Sequence, residues 1–520
     1  MAAWHITLMT LLFGCGLSRV RRLLLLVLCG LVLQGCASAP GLVAPPAQSR
    51  AISDTQTEHS PLGRLAQQQG VAAVGRAGDS ALHLLPQGLA SLAARRALID
   101  RAERSIDVQY YIWRADTSGA GLAAALWQAA ERGVRVRLLL DDWGARPSEE
   151  ELGQLAAHPN IEVRLFNPLA LRWSLSLALL LDFERGNRRM HNKALIVDNQ
   201  ALIVGGRNIG DEYFERRAAL EFGDLDLLAL GPVVRQASDG FDSYWNSGEL
   251  MRVAPVAPRQ APPAEPLQAL WQAARETGFE AALQAGSLRF ERGQALALQD
   301  PPGKVRAVDD APRDHLGHRM AHVMGEVRQE LLLVSPYFVP GTGGMEQLRE
   351  LRARGVSVRI VTNSLAATDV PAVHAGYARY RRELLRLGVE LYEIRPDGKP
   401  LRSAGDGKPG LGSSRLSLHA KVLVVDRRSA FIGSMNIDPR SLRLNTENGV
   451  VVQSSRLAEA LTAGVEQALL HQAYRVRLEG GALRWQGREG EPALEQEPGA
   501  SLWLRLQTGL FSLLPLEPLL

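Results

Sequence analysis

Apolar and polar positions follow two periods along most of the chain. The run SIDVQYYIWRADTSG, from Ser105, is apolar and β-rich and ends in a loop. LAAALWQAAERG follows with helical spacing, and VRVRLLLDD returns to an apolar strand. Strand, helix and strand at this spacing predict a βαβ unit in a parallel-rich sheet. The same succession returns later as ELLLVSPYFVPGTGG, MEQLRELRARG and VSVRIVTNS. The chain therefore reads as an internal repeat of two α/β halves, residues 65–253 and 267–495. The Pro-rich stretch APVAPRQAPPAEP, within 254–266, is the expected linker, and residues 496–520 form an apolar tail. Each duplicated sheet needs a covered face, so the halves are expected to pack together.

Each half also carries a strand with an unusual start. In RMHNKALIVDNQALIVGGRN, His191 and Lys193 sit two residues apart, a spacing that places both on one face of a strand. ALIV continues the strand, Asp198 and Asn199 supply turn chemistry, and ALIVGG returns toward Asn208. SLHAKVLVVDRRSAFIGSMN repeats the order with His419, Lys421, Asp426, Gly433, Ser434 and Asn436. One His-x-Lys pair carries no information. Two copies with Asp, Gly and Asn at matching spacings do.

These residue types point to phosphorus. Lysine is a point-charge phosphate binder, and the Asn208 and Asn436 amides add donors. The small residues Gly206 and Ser434 let the backbone approach a ligand, and Ser434 adds a hydroxyl that Gly206 lacks. An imidazole titrating near neutral pH can act as a nucleophile or as an acid and base. One histidine from each half, facing across a phosphodiester, would divide the work. One attacks phosphorus; the other protonates the departing alcohol and then deprotonates the incoming one. Two lysines and two asparagines would neutralise the equatorial oxygens. No metal and no cofactor is required.

Composition narrows the picture a little. Hydrophobic residues at 46% and charged residues at 22% fit a folded protein with a substantial core. A net charge of +4 hints at anionic partners without separating nucleic acid from phospholipid. All three cysteines, Cys15, Cys29 and Cys36, lie near the start, so no disulfide or Cys-ligated metal can form beyond Cys36. RVRRLLLLVLCGLVLQGCASAP has the basic and apolar regions of a secretory signal. Its end, Leu33-Gln34-Gly35-Cys36, resembles a bacterial lipobox, which implies residues 1–36 as a signal and lipid on Cys36. Ala37 after the cysteine is similar to Gram-negative lipoproteins of the outer membrane that face the periplasm. Residues 37–64, rich in Ala, Pro, Ser and Gln, are expected to be a tether.

The two His-Lys-Asp segments resemble the paired HKD motifs of the phospholipase D superfamily, over nearly all of the chain after the tether. The resemblance implies a duplicated phospholipase D fold, with two mixed-sheet α/β halves sharing an active site at their interface. It implies a two-step route through a phosphohistidine. His191, Lys193, His419 and Lys421 carry over as catalytic residues, and Asn208 and Asn436 as phosphate ligands. Asp198 and Asp426 complete the motifs, where the family uses them as structural supports. A nucleophilic histidine also needs an orienter on its other ring nitrogen. In NTEN, Glu447 resembles the family's carboxylate partner. In FGDLDL, Asp224 is preferred by position, and Asp226 is read as a surface acid at a turn.

NRRMHNKALIVD, GGRNIGDEYF, HAGYARYRRELLRLGVELYEI and the tail are similar to one bacterial subgroup, the C-type cardiolipin synthases. That implies transfer of a phosphatidyl group to phosphatidylglycerol, with phosphatidylethanolamine or a second phosphatidylglycerol as donor, at a membrane and in company with a helper protein. Two other activities use the same chemistry: hydrolysis of the same lipid bonds to phosphatidic acid, and an exported phosphodiesterase or nuclease acting on nucleic acid. A non-catalytic lipid binder is a fourth class, opposed by the intact motifs. No segment shows the basic groove with stacking aromatics that nucleic acid requires. WSLSLALLLDF, just before the first motif, is either a core helix or a guide for an acyl chain. The tail's Trp503, Leu504, Leu506, Leu510, Phe511, Leu513 and Leu514 either pack on the domain or touch lipid.

Overall fold

A computed structural model describes residues 47–71, 78–169, 171–172, 174–215, 220–256, 267–306, 314–397 and 415–520. The basic-apolar segment with Cys36, the front of the tether, Trp173 and most of the Pro-rich linker lie outside these residues. Among these residues, nine strands belong to the first half. They are β1 (Ser80–Leu85), β2 (Ser105–Tyr110), β3 (Arg135–Asp141), β4 (Ile161–Phe166), β5 (Ala194–Val197), β6 (Ala201–Gly205), β7 (Leu220–Gly223), β8 (Asp226–Leu230) and β9 (Leu250–Arg252). All but β7 join one sheet in the order β1-β8-β6-β5-β2-β3-β4-β9, in which β2, β3 and β4 run parallel.

The second half has β10 (Glu291–Gln299), β11 (Glu330–Val334), β12 (Ser357–Asn363), β13 (Glu390–Ile394), β14 (Arg415–Leu418), β15 (Val422–Val425), β16 (Ser429–Gly433), β17 (Asn448–Gln453), β18 (Ala473–Glu479) and β19 (Ala482–Gln486). Its order is β10-β17-β16-β15-β11-β12-β13-β18-β19, with β11, β12 and β13 parallel. The run β8-β6-β5-β2-β3-β4 thus has the topology of β17-β16-β15-β11-β12-β13, so the repeat in sequence is a repeat in fold. β1 pairs antiparallel with β10 and links the two sheets.

The halves share a core. Ile196, Leu202 and Leu227 of the first sheet lie in one buried cluster with Val424, Ile432 and Val450 of the second. Each such side chain contributes roughly 1.5–3 kcal/mol when fully buried, which holds the inner faces together. The outer faces are covered by helices of each half in separate clusters.

The hairpins that follow the two His-Lys segments turn at Asp198-Asn199 and Asp426-Arg427, all four residues at φ 52–53°. This left-handed pair makes the tight turn that matches strand twist. Asp198 accepts the backbone N–H groups of Glu103, Arg104 and Ser105. Asp426 accepts those of Arg328, Gln329 and Glu330. Both motif aspartates therefore pin the start of a neighbouring strand, at the opposite end of the hairpin strand from the histidine.

Two boundaries differ from the sequence reading. The tether expected over 37–64 is docked from its middle onward. Ser49 and Ala51 donate backbone N–H groups to Asn246 and Asp242, and the Thr57 hydroxyl donates to Asp198 O at 2.6 Å. Small polar residues that suit a tether also suit hydrogen bonding to half-buried polar groups. Residues 267–284, assigned by sequence to the second half, belong to the packing of the first. Leu270, Ala274, Phe279 and Leu283 bury into its core from helices Gln268–Glu276 and Phe279–Gln284. The tail packs through helix Leu502–Ser512 along helix Pro371–Arg386.

Candidate active site

Two short parallel contacts between the halves set the site. Met190 bridges to Thr446, and the His191 N–H donates to Thr446 O at 2.8 Å. In the other, β14 pairs with β7 so that Leu418 lies opposite Gly223, and the His419 N–H donates to Gly223 O at 2.8 Å. The residues that come next in the partner segments are Glu447 and Asp224. The register therefore delivers a carboxylate from the opposite half to each imidazole. His191 Nδ1 is 2.8 Å from Glu447 Oε2, and His419 Nδ1 is 2.6 Å from Asp224 Oδ2. A carboxylate on Nδ1 holds the tautomer that leaves the Nε2 lone pair free.

The other motif residues gather around these pairs. Lys193 Nζ donates to His191 O at 2.6 Å, and Lys421 Nζ donates to His419 O. Asn208 accepts the Ile112 N–H through Oδ1 at 3.2 Å, and the Asn436 N–H donates to Ser441 Oγ at 3.2 Å. His191 and His419 are only 8% and 7% exposed, and both lysines are buried.

Burial governs the ionisation. It pushes the His191 imidazole down to about 4, against the raising effect of Glu447. It pushes His419 down to about 3, helped by Lys421 and opposed by Asp224. Both rings are neutral at physiological pH. Lys193 is driven well below its ordinary value by burial, and Lys421 falls to about 8. Each imidazole also responds to the lysine of the other half, which brings the four groups within mutual electrostatic reach. Asp224, although buried, is held down to about 2 by His419, Lys421 and Arg207.

Gly206 and Ser434 lie against the two orienting carboxylates. The Ser434 hydroxyl donates to Glu447 Oε2, and Ser441 Oγ donates to Glu447 Oε1 at 2.8 Å. At Gly206 a Cβ would fall 2.1 Å from Asp224 Oδ1. Both small residues thus serve the carboxylates. Asp226 is also corrected. It is fully buried, accepts Arg95 Nη2 at 2.9 Å and accepts the Ser91 hydroxyl at 2.6 Å.

Sequence reasoning missed two rings. Tyr111 meets His191 edge-on at 5.2 Å between centroids, and Tyr213 meets His419 in the same way at 5.2 Å. Their signal was their place in the repeat: Tyr111 follows β2, and Tyr213 sits in GDEYF just beyond Asn208. Asp300 was missed as well. It accepts the Glu447 N–H at 2.9 Å and is paired with Lys304 at 2.8 Å. Nothing in sequence ties it to a residue 147 positions away.

Comparison with known proteins bears on the family and the fold. The family profile described as "Cardiolipin synthase, PLD-like domain" matches residues 96–245 and 320–469. Cardiolipin synthase C of Escherichia coli (strain K12) is 41% identical over 460 residues, covering 85% of this chain and 97% of that protein. The major cardiolipin synthase of Bacillus subtilis (strain 168) is 25% identical over 75% of this chain and 69% of its own. The crystal structure of phosphatidylserine synthase from Haemophilus influenzae Rd KW20 shares the fold, with a TM-score of 0.57 and 13% identity over 88% of this chain and all of that one. With its two copies of the domain and the extent of these matches, the chain belongs to the cardiolipin synthase family of phospholipase D-like proteins.

Proposed function

We propose that the protein is a phosphatidyltransferase that forms cardiolipin from phosphatidylglycerol and a second phospholipid. The observation that carries this reading is the crossed pairing of each imidazole with a carboxylate from the other half, in a chain so similar to cardiolipin synthase C. His191 Nε2 attacks the donor phosphorus, and the bond from phosphorus to the headgroup oxygen breaks. His419, protonated once the anionic diester has entered and offset the two lysines, gives its proton to that oxygen. The primary hydroxyl of phosphatidylglycerol then loses its proton to His419 and attacks the phosphatidyl-histidine, which frees His191. Lys193 and Lys421, with the amides of Asn208 and Asn436, hold the equatorial oxygens. Asp224 stabilises the imidazolium of His419, and Glu447 fixes the ring of His191.

The test uses membranes holding the full chain, a labelled donor phospholipid and excess phosphatidylglycerol. Labelled cardiolipin is expected, and it disappears with His419→Ala. Phosphatidic acid as the sole product would replace transfer with hydrolysis. Substrate phosphorus trapped on His419 would reverse the two roles.

The anchor belongs to the same proposal. Cys36 carries lipid and holds the enzyme to the outer membrane, facing the periplasm, as the Leu33–Cys36 segment suggests. Cys36→Ser is expected to leave the membrane fraction; unchanged acylation and retention would reject the anchor. A helper protein is tested by activity of the purified chain in vesicles without other proteins.

A further inference from the structure

The C-terminal helix Leu502–Ser512 turns Leu504 inward onto Leu365 and Ala366 but leaves most of its apolar side chains outside. Its buried residue is Thr508, and Arg505 turns inward to Gln496 and to Glu497 O. Its outer face is Leu502, Trp503, Leu506 and Leu510, continued by Leu513, with Trp503 73% and Leu513 80% exposed. A helix lying on a protein in water has the opposite arrangement. A second apolar patch lies just before the first motif, where Leu180 is 79% and Leu181 66% exposed beside Phe183.

One residue ties the patches to each other and to the site. Arg440, four positions after Asn436, donates Nη1 to Asn187 O at 2.9 Å and Nη2 to Leu519 O at 3.0 Å. Its backbone N–H donates to Leu520 O at 2.6 Å. Asn187 lies four residues after Phe183 and four before His191; Leu519 and Leu520 close the tail six and seven residues beyond Leu513. Arg440 also lies within electrostatic reach of Tyr111, the ring against His191. Arg188 Nη1 donates to the backbone oxygen of the exposed Arg443 at 3.5 Å. The acids on these segments include Asp182, bonded to Arg185, and Glu517, bonded to Tyr380. Two apolar patches thus flank a basic rim that is continuous with the His-Lys site. Among the described residues no helix is long and apolar enough to cross a membrane.

We propose that these two patches are one docking face that enters the headgroup-acyl boundary of an anionic phospholipid bilayer, with Arg188, Arg440 and Arg443 at headgroup level. The proposal rests on the lipid-transfer reading above. The bilayer is the occupant because the face is continuous with the rim of a site that takes lipid, whereas a second copy seated there would cover that rim.

The experiment places the full chain in phosphatidylglycerol vesicles with bromine on the acyl chains and compares tryptophan emission with Trp503→Phe. The Trp503 contribution, taken as the difference, is expected to be quenched. In parallel, Leu506→Glu with Leu510→Glu, both on the outer face, is expected to lower turnover of vesicle lipid by roughly tenfold or more. Turnover of a short-chain, water-soluble phosphatidylglycerol should stay unchanged. An unquenched Trp503, or equal effects on the two substrates, overturns the docking face. So does a Trp503 that is shielded only in a dimer. Absence of transfer on every substrate would reject the catalytic reading instead, and the quenching would still decide the docking.

Discussion

His191 and His419 hold equal positions in a repeated motif, yet their supports are unequal. Glu447 gathers His191, Ser434 and Ser441 on its two oxygens, and its own backbone is bonded to Asp300. Asp224, one methylene shorter, reaches His419 only because Gly206 leaves it room. Small residue and carboxylate therefore vary together: serine with glutamate in one copy, glycine with aspartate in the other. The electrostatics stay alike, because burial pushes both imidazoles down, His191 to about 4 and His419 to about 3. Duplication kept the reacting atoms alike while the groups behind them became specialised, and those groups come from the opposite half.

The strongest way to break this comparison is to remove either ring. His191→Ala and His419→Ala should each lower turnover by about a thousandfold or more, because each removes a separate proton or phosphorus transfer. A radiometric lipid-transfer assay reads this, and substantial activity in either variant would deny a shared site. Next come the supports. Asp224→Asn should cost on the order of a hundredfold or more in kcat, since the amide misplaces the imidazole proton. Glu447→Gln should cost less, because Ser434 and Ser441 still hold the side chain; the reverse ranking would contradict the inequality of the two supports. Gly206→Ser should then lower kcat by roughly tenfold or more by displacing Asp224, whereas Ser434→Gly should cost only a few-fold. Equal losses would mean that the small residues are interchangeable.

The smallest effect concerns pH and stability. The folded state holds both imidazoles below the ordinary 6.5, so the unfolded chain binds more protons between about pH 6.5 and 3. Stability contributed by these rings is complete above that window and is lost as pH falls through it. The lowered Asp224 adds a further loss as pH falls from its ordinary 3.8 toward about 2. Melting midpoints measured at pH 7.5, 5.5 and 4.5 should decline, and less steeply in the His191→Gln, His419→Gln double variant. An identical slope would mean that the rings are not buried neutral.

The sequence by itself determined the repeat, the strand–helix–strand order and the motif residues, because periodicity and spacing are local and were present twice. It also pointed to Glu447 and Asp224 by resemblance and position. Tertiary structure alone decided which histidine each carboxylate serves, since that depends on the Leu418–Gly223 and Met190–Thr446 pairings between distant segments. It decided that Gly206 makes room for Asp224, that Asp226 is buried against Arg95 and that Asp300 braces Glu447. It moved residues 267–284 into the first half because Leu270 and Phe279 find their apolar partners there. It also turned the apolar side of the tail outward. A hydrophobic pattern states that a face is to be covered. What covers it, whether a neighbouring helix or something outside the chain, is settled only when all the elements have competed for the same core.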